Sequence, residues 1–439
     1  MSTLTNDIAI PLDGVSTFTI GQDTYTWGDG SILSYIGVSS DTTAYREAFS
    51  LSGANWFVEN FAAEGKAALT MEDSATGSGR SFGAIHLWNE GGNVLKFANT
   101  FVGTIYGSDG ADDITTGAAG AGQIHLAAGN DIITTGTGYV DQIELGSGNN
   151  VANIRAGENG VGIVRGGFDT DTVNISDGAF VDYVATGRGN DVVRVSGDVT
   201  FVDLGRGDDK LVIDGYIQSA KMGRDADTVI VKSVTGVTFV DGAEGVSTPG
   251  VNEDSDTLDF SAVASGLDID LSPKAYVVDM AGGALVISHF ENVIGGAGSD
   301  VIVGSAEANI LNGGKGNDFI TGGLGADDMT GGSGKDTFVF TSVKDSTVTA
   351  NGRDTIFDFS GSAGDRVDLS EIDANTKMAG NQSFSFIGAA AFSHKAGELR
   401  YEKAASDTYV YGDVNGDGKS DFAIHLDDAL AMTKGYFIL

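Results

Sequence analysis

Oxygen-bearing side chains recur in this chain at a fixed interval, and the interval limits the chemistry open to them. Four nonapeptides follow the pattern G-G-x-G-x-D-x-(apolar)-x, at 295–303, 313–321, 322–330 and 331–339. Their glycines are Gly295, Gly296 and Gly298; Gly313, Gly314 and Gly316; Gly322, Gly323 and Gly325; and Gly331, Gly332 and Gly334. A degenerate copy, 304–312, stands between the first and second. The sixth position therefore reads Asp300, Asn309, Asp318, Asp327 and Asp336, and it continues in phase to Asp345 and Asp354. Carboxylates and turn carbonyls stacked at strand spacing offer the roughly six to eight hard oxygens that Ca2+ takes. Without a cation the same column is a stack of like charges. Folding is therefore expected to depend on several Ca2+ ions.

Positioning such a ladder requires a particular scaffold. Three residues of strand turn one apolar side chain inward, at Ile302, Ile320, Met329 and Phe338. Six Gly-rich residues then reverse the chain, glycine admitting left-handed backbone. Two nonapeptides make one coil, so residues 18 apart share an edge. On that phase Asp300, Asp318, Asp336 and Asp354 line one edge, and Asn309, Asp327 and Asp345 the other. A flexible Gly/Asp linker has no reason to keep an apolar residue in register.

A looser ladder lies upstream. Gly-Asn/Asp-Asp turns, preceded by Gly-x in the last two, place Asp131, Asp191 and Asp209, with weaker copies ending at Asp113, Asn150, Asp171 and Asp227. Successive spacings from Asp113 are 18, 19, 21, 20, 18 and 18. Short apolar strands precede the turns, as at Ile124-His125-Leu126 and Ile143-Glu144-Leu145. This predicts a parallel β-solenoid with acidic turns along one edge. Those turns either bind Ca2+ or are Asn/Asp turn formers stacked for backbone reasons. Arg188, Arg206 and Arg224 recur 18 apart within them and read as salt-bridging partners of nearby aspartates.

Composition narrows the partners. The chain has 439 residues, 66 Gly, 3 Pro, no Cys and a net charge of -36. So acidic a surface repels nucleic acid and anionic headgroups, and attracts cations. The absence of cysteine removes disulfides and thiolate sites. No apolar run is long enough for a transmembrane helix. The first residues have neither a basic nor an apolar region of the signal-peptide kind.

The nonapeptide run resembles the RTX calcium-binding β-roll, whose repeat is a known example of its class. Beyond it, Asp354-Thr355-Ile356-Phe357-Asp358-Phe359 and 364–373 (GDRVDLSEID) resemble the C-terminal domain of serralysin-type proteases, and so does the closing stretch 413–422. That resemblance implies a cap on the β-roll, a type I secretion signal in the apolar run ending at Leu439, and export from a Gram-negative bacterium to the cell surface or medium. Passage as an unfolded chain where calcium is scarce, with folding where it is plentiful, is physically coherent. Asp413, Asn415, Asp417 and Asp421 also open like an EF-hand loop, although Ile424 stands where the bidentate Glu belongs. A turn, with or without one ion, is the reading.

Catalytic motifs are weak. No H-E-x-x-H links His86, His125, His289, His394 and His425, so the resemblance does not extend to protease activity. Gly79-Arg80-Ser81-Phe82-Gly83 fits a lipase elbow but lacks a strand-then-helix context. The mannuronan epimerase and polysaccharide lyase group shares the architecture, yet no proline here is followed by histidine. No catalytic residue is assigned.

The fold expected is all-β: a β-rich cap or aromatic sugar-binding module at 1–105, a parallel β-solenoid at 106–245, spacer strands continuing it at 246–294, the nonapeptide β-roll at 295–354, and a sandwich-like or β-roll cap at 355–439. The expected role is a surface or matrix structural protein, partnered by type I secretion machinery and by itself or a surface polysaccharide. The competing role is an enzyme or a lectin, through Trp56 or Trp88, on extracellular polysaccharide.

Overall fold

The structure, a computed structural model, describes residues 3–7, 16–20, 23–27, 32–40, 47–52, 56–65, 68–73, 80–90, 92–155, 157, 160–232, 237–243, 255–271, 276–280 and 283–439. It is an all-β parallel solenoid whose described residues divide into two compact units, 1–224 and 225–439. No helix among them is long and apolar enough to cross a membrane.

In the first unit two parallel sheets face each other across one column of apolar side chains apiece. One column runs Ile85, Ile105, Ile124, Ile143, Val164, Val184, Val202 and Ala220, each in register with the next and fully buried. Opposite it run Leu95, Ile114, Ile133, Ala152, Val173, Val193 and Leu211. Aliphatic side chains repeated at one position per coil can stack only in a parallel, in-register sheet, and their burial drives the coil closed.

Parallel pairing begins well before residue 106. Ile32–Ser40, Trp56–Gly65, Arg80–Asn89 and Thr100–Tyr106 already pair in parallel, as do Glu47–Ser52, Leu69–Asp73, Val94–Lys96 and Asp113–Thr115. Among the described residues of the first unit, antiparallel pairing is confined to the start, where Thr3–Asp7 joins Ile32–Ser40, and Ser16–Ile20 joins Asp23–Trp27 and Glu47–Ser52. Between these early coils Arg80 Nη1 meets Asp73 Oδ1 at 2.8 Å, both side chains fully buried. The second Asp73 oxygen accepts from the Thr100 hydroxyl and the Asn99 N–H.

The second unit repeats the plan with shorter strands. One sheet stacks Ile269, Ile302, Ile320, Phe338, Val367 and Phe437; the other stacks Leu258, Val293, Leu311, Met329, Ile356 and Leu426. The four inward residues expected from the nonapeptides, Ile302, Ile320, Met329 and Phe338, are all fully buried. An antiparallel meander, Glu398–Lys403, Thr408–Asp413 and Phe422–Leu426, joins the second sheet through its last strand.

Candidate metal ladder

The sixth-position carboxylates point into the coil edges. Asp300, Asp318, Asp327, Asp336 and Asp354 are all buried to 1% exposure or less. Except in Asp354, whose N–H donates to Ser346 Oγ, each backbone N–H in the series donates to Oδ1 of the carboxylate one coil further on. The links are Asp300 to Asp318 at 2.8 Å, Asp318 to Asp336 at 3.0 Å and Asp336 to Asp365 at 3.0 Å. On the other edge Asn309 donates to Asp327 at 2.8 Å, and Asp327 to Asp354 at 3.1 Å.

The nine-residue phase breaks after Asp336. Asp354 belongs to the Asn309–Asp327 edge and Asp365 succeeds Asp336, because residues 340–353 form an excursion with a short 3-10 turn, Ala350–Gly352, that holds no rung. Asp345 lies in that excursion, where its Oδ2 accepts the N–H groups of Thr341 and Ser342. Asp358, unnoticed in the sequence, accepts from the N–H groups of Gly331 and Gly332 with its two oxygens.

With Oδ1 engaged, Oδ2 becomes the informative atom. In Asp318, Asp327 and Asp354 it is buried without a hydrogen-bond partner. In Asp318 and Asp327, as in Asp336, it lies beside the first glycine of the nonapeptide: a Cβ built on Gly313 would stand 2.6 Å from Asp318 Oδ2, and one on Gly331 the same distance from Asp336 Oδ2. The fourth-position glycines Gly316, Gly325 and Gly334 hold φ of 135°, 137° and 151°, which only glycine adopts freely. An anionic oxygen kept bare in a glycine cradle fits a hard cation.

Electrostatics agree. Burial, then repulsion from Asp300 and Asp336, pushes Asp318 up to about 7. Burial raises Asp327 to about 7 as well, and burial together with Asp327 and Asp345 raises Asp354 to about 9. A divalent ion would restore the ionised form.

Two expected ligands are already satisfied. Asn309 Oδ1 accepts the Ser305 N–H at 2.6 Å while its amide donates to the Glu291 carbonyl at 2.8 Å. Asp300 accepts from Leu267 and Gly296, one N–H on each oxygen.

The upstream ladder is built the same way, one residue out of the expected phase at its start. Asp112 rather than Asp113 is the buried rung, since Asp113 opens a strand and turns outward. Asn93 donates to Asp112, Asp112 to Asp131, Asp131 to Asn150, Asn150 to Asp171, Asp171 to Asp191 and Asp191 to Asp209, all through backbone N–H groups. Oδ2 of Asp131 and of Asp191 is buried without a partner, and burial raises these groups to about 7 and about 6. In the second unit Asp227 donates to Asp256 in like manner. Arg188, Arg206 and Arg224 stand in register on the outside.

In the loop 413–421 the carboxylates are held by backbone. Asp413 accepts the Gly416 and Gly418 N–H groups, and Asp421 accepts those of Val414 and Asn415 together with the Asn415 amide. Asp417 caps the Lys419 N–H. Ser81 of the lipase-like string lies inside the strand Arg80–Asn89, paired on both sides, so no elbow is formed.

An outward strip in the first unit escaped sequence reading. His86, Tyr106, His125, Glu144 and Arg165 occupy one position on five consecutive strands. The rings stack, His86 on Tyr106 at 4.8 Å and Tyr106 on His125 at 5.4 Å, with Trp88 against His86 at 4.9 Å. His125 Nδ1 lies 2.6 Å from Glu144 Oε2, and the Gln142 amide donates to Oε1. Trp88 is 58% exposed. The side chain of Trp56 lies outside the described residues.

Fold and ladder together define an RTX-type parallel β-solenoid. Residues 251–438 match the family model described as Peptidase M10 serralysin C terminal, so this part of the chain carries a serralysin-type C-terminal domain. Among solved structures, the solution structure of the AlgE6R3 subunit from the Azotobacter vinelandii mannuronan C5-epimerase is similar at 24% identity, covering 45% of this chain and 84% of that one, with a TM-score of 0.25. The AlgE6R2 subunit of the same enzyme is similar at 20% identity, covering 40% and 92%, with a TM-score of 0.24. No curated protein matches.

Proposed function

We propose that this chain is a secreted calcium-binding protein whose solenoid folds when Ca2+ enters its aspartate ladders, and which acts as a structural or interaction element of a Gram-negative cell surface or matrix. The observation that carries this is the bare, buried Oδ2 of Asp318, Asp327 and Asp354, which in Asp318 and Asp327 lies beside a repeat glycine. Asp318, Asp336, Asp327 and Asp354 with the carbonyls of their turns would hold the ions in the second unit, and Asp131 and Asp191 in the first. A bound ion supplies the positive charge that the buried carboxylates lack. Type I export suits the burial of Phe437, which pairs with Val367 in the folded chain and is freely accessible to a channel before folding. Calorimetric titration of chelated protein with CaCl2 tests the reading. Several saturable sites are expected, and their number falls in Asp318→Asn; absence of uptake would overturn it.

A second reading, binding of an extracellular polysaccharide, is favoured by the Trp88–Tyr106 strip. Exposed aromatic surface flanked by His, Gln, Glu and Arg suits sugar rings and their hydroxyls. Self-association remains the competing use of the surface, and light scattering in Ca2+ separates them.

A further inference from the structure

A second kind of metal chemistry lies in the second unit, beside the strands that leave the Asp327 and Asp354 rungs. His425 projects from the strand Phe422–Leu426, in register with Thr355 on one side and Tyr409 on the other. Its imidazole stacks on Tyr409 at 4.9 Å, and the Arg353 guanidinium lies over the same tyrosine ring at 5.0 Å. Nδ1 is 3.2 Å from Thr355 Oγ1, which leaves Nε2 to face Asp407 Oδ1 at 2.9 Å. Asp427 follows the strand, and one ligand atom from each of Asp407, His425 and Asp427 lies within 4.8 Å of the others.

We propose that Asp407, His425 and Asp427 form a site for a divalent transition-metal ion of the zinc type. The donor set decides the metal. Ca2+ takes oxygen ligands, whereas zinc takes imidazole nitrogen with carboxylate oxygen and commonly completes three protein ligands with water. The surroundings are those of a ligating histidine, its far nitrogen hydrogen-bonded and its ring fixed by packing. Asp407 is similarly oriented, since its Oδ2 accepts the Ser406 hydroxyl at 2.5 Å and leaves Oδ1 towards the imidazole. Asp328 also lies in the field of His425, so three carboxylates surround one imidazole. A bound ion would tie the turn carrying Asp407, between Glu398–Lys403 and Thr408–Asp413, to the last strand of the meander.

The test is a ZnCl2 titration of the full chain in saturating Ca2+, by calorimetry, with Co2+ absorption as a second readout. One zinc per chain is expected, weakened at least tenfold in His425→Gln and in Asp427→Asn. Asp427 is exposed, so its variant keeps the fold if His425→Gln does not. The proposal is overturned if no saturable zinc is taken up over calcium, or if uptake survives unchanged in Asp427→Asn. Calcium uptake measured without zinc stands apart from either result.

Discussion

The backbone N–H of Asp300 donates to Oδ1 of Asp318 at 2.8 Å, across one full coil of the β-roll. The carboxylate therefore has two separable tasks. In the folded chain Oδ1 staples one coil to the next, while Oδ2 waits for a positive charge.

Asp318→Asn separates those tasks. The amide oxygen still accepts the Asp300 N–H, but the anionic Oδ2 is gone. We expect the melting temperature in Ca2+ to fall by several degrees, and the small β-sheet signal in chelator to hold or rise. Differential scanning calorimetry in Ca2+ and circular dichroism in chelator check it.

The pH dependence without calcium should run opposite to that of most proteins. Asp318 and Asp327 titrate near about 7 and Asp354 near about 9 when folded, against about 3.9 unfolded. The native state then holds protons that the unfolded chain has lost. Their stabilisation is complete below about pH 4 and disappears as pH rises through these folded values. In chelator the folded fraction, read from the β-sheet signal, is expected to drop from about pH 5 to about pH 8, and calcium to remove most of that slope.

Gly313→Ala probes the cradle. A Cβ there would stand 2.6 Å from Asp318 Oδ2 and 2.7 Å from the Gly331 carbonyl. Overpacking of this kind costs about 1–3 kcal/mol. Urea unfolding in Ca2+ should show it, together with weaker calcium uptake.

Arg80→Ala removes the cationic half of its fully buried ion pair with Asp73. A loss of about 3–5 kcal/mol is expected for the first unit. Calcium uptake by the nonapeptides of the second unit should be unaffected, and limited proteolysis with mass spectrometry locates the damage.

Trp88→Ala addresses the second reading. If the strip binds glycan, the variant should lose at least tenfold affinity for soluble oligosaccharides on a glycan array while melting as the parent does. Equal binding by both would remove the strip from consideration.

Much of this was legible in the chain, for physical reasons. A nine-residue period fixes which residue turns inward, so Ile302, Ile320, Met329 and Phe338 could be placed before any coordinates. Phase was lost where periodicity stops. The excursion at 340–353 moves Asp354 to the other edge and hands its place to Asp365, and spacing alone does not reveal such a detour. In the doublet Asp112-Asp113 both residues fit the turn pattern, and only the strand's inward-outward alternation selects Asp112. The Arg80–Asp73 pair and the His425 cluster join side chains from different coils or hairpins. Their partners are set by stacking, and a linear reading does not bring them together.

Far-UV circular dichroism of chelated full-length protein during CaCl2 titration tests the central claim most directly. Cation-coupled folding predicts a β-sheet signal that is small in chelator and rises to saturation with calcium, at higher calcium in Asp318→Asn. A full signal in chelator, unchanged by calcium, would contradict it and leave the aspartate ladder as a purely structural staple.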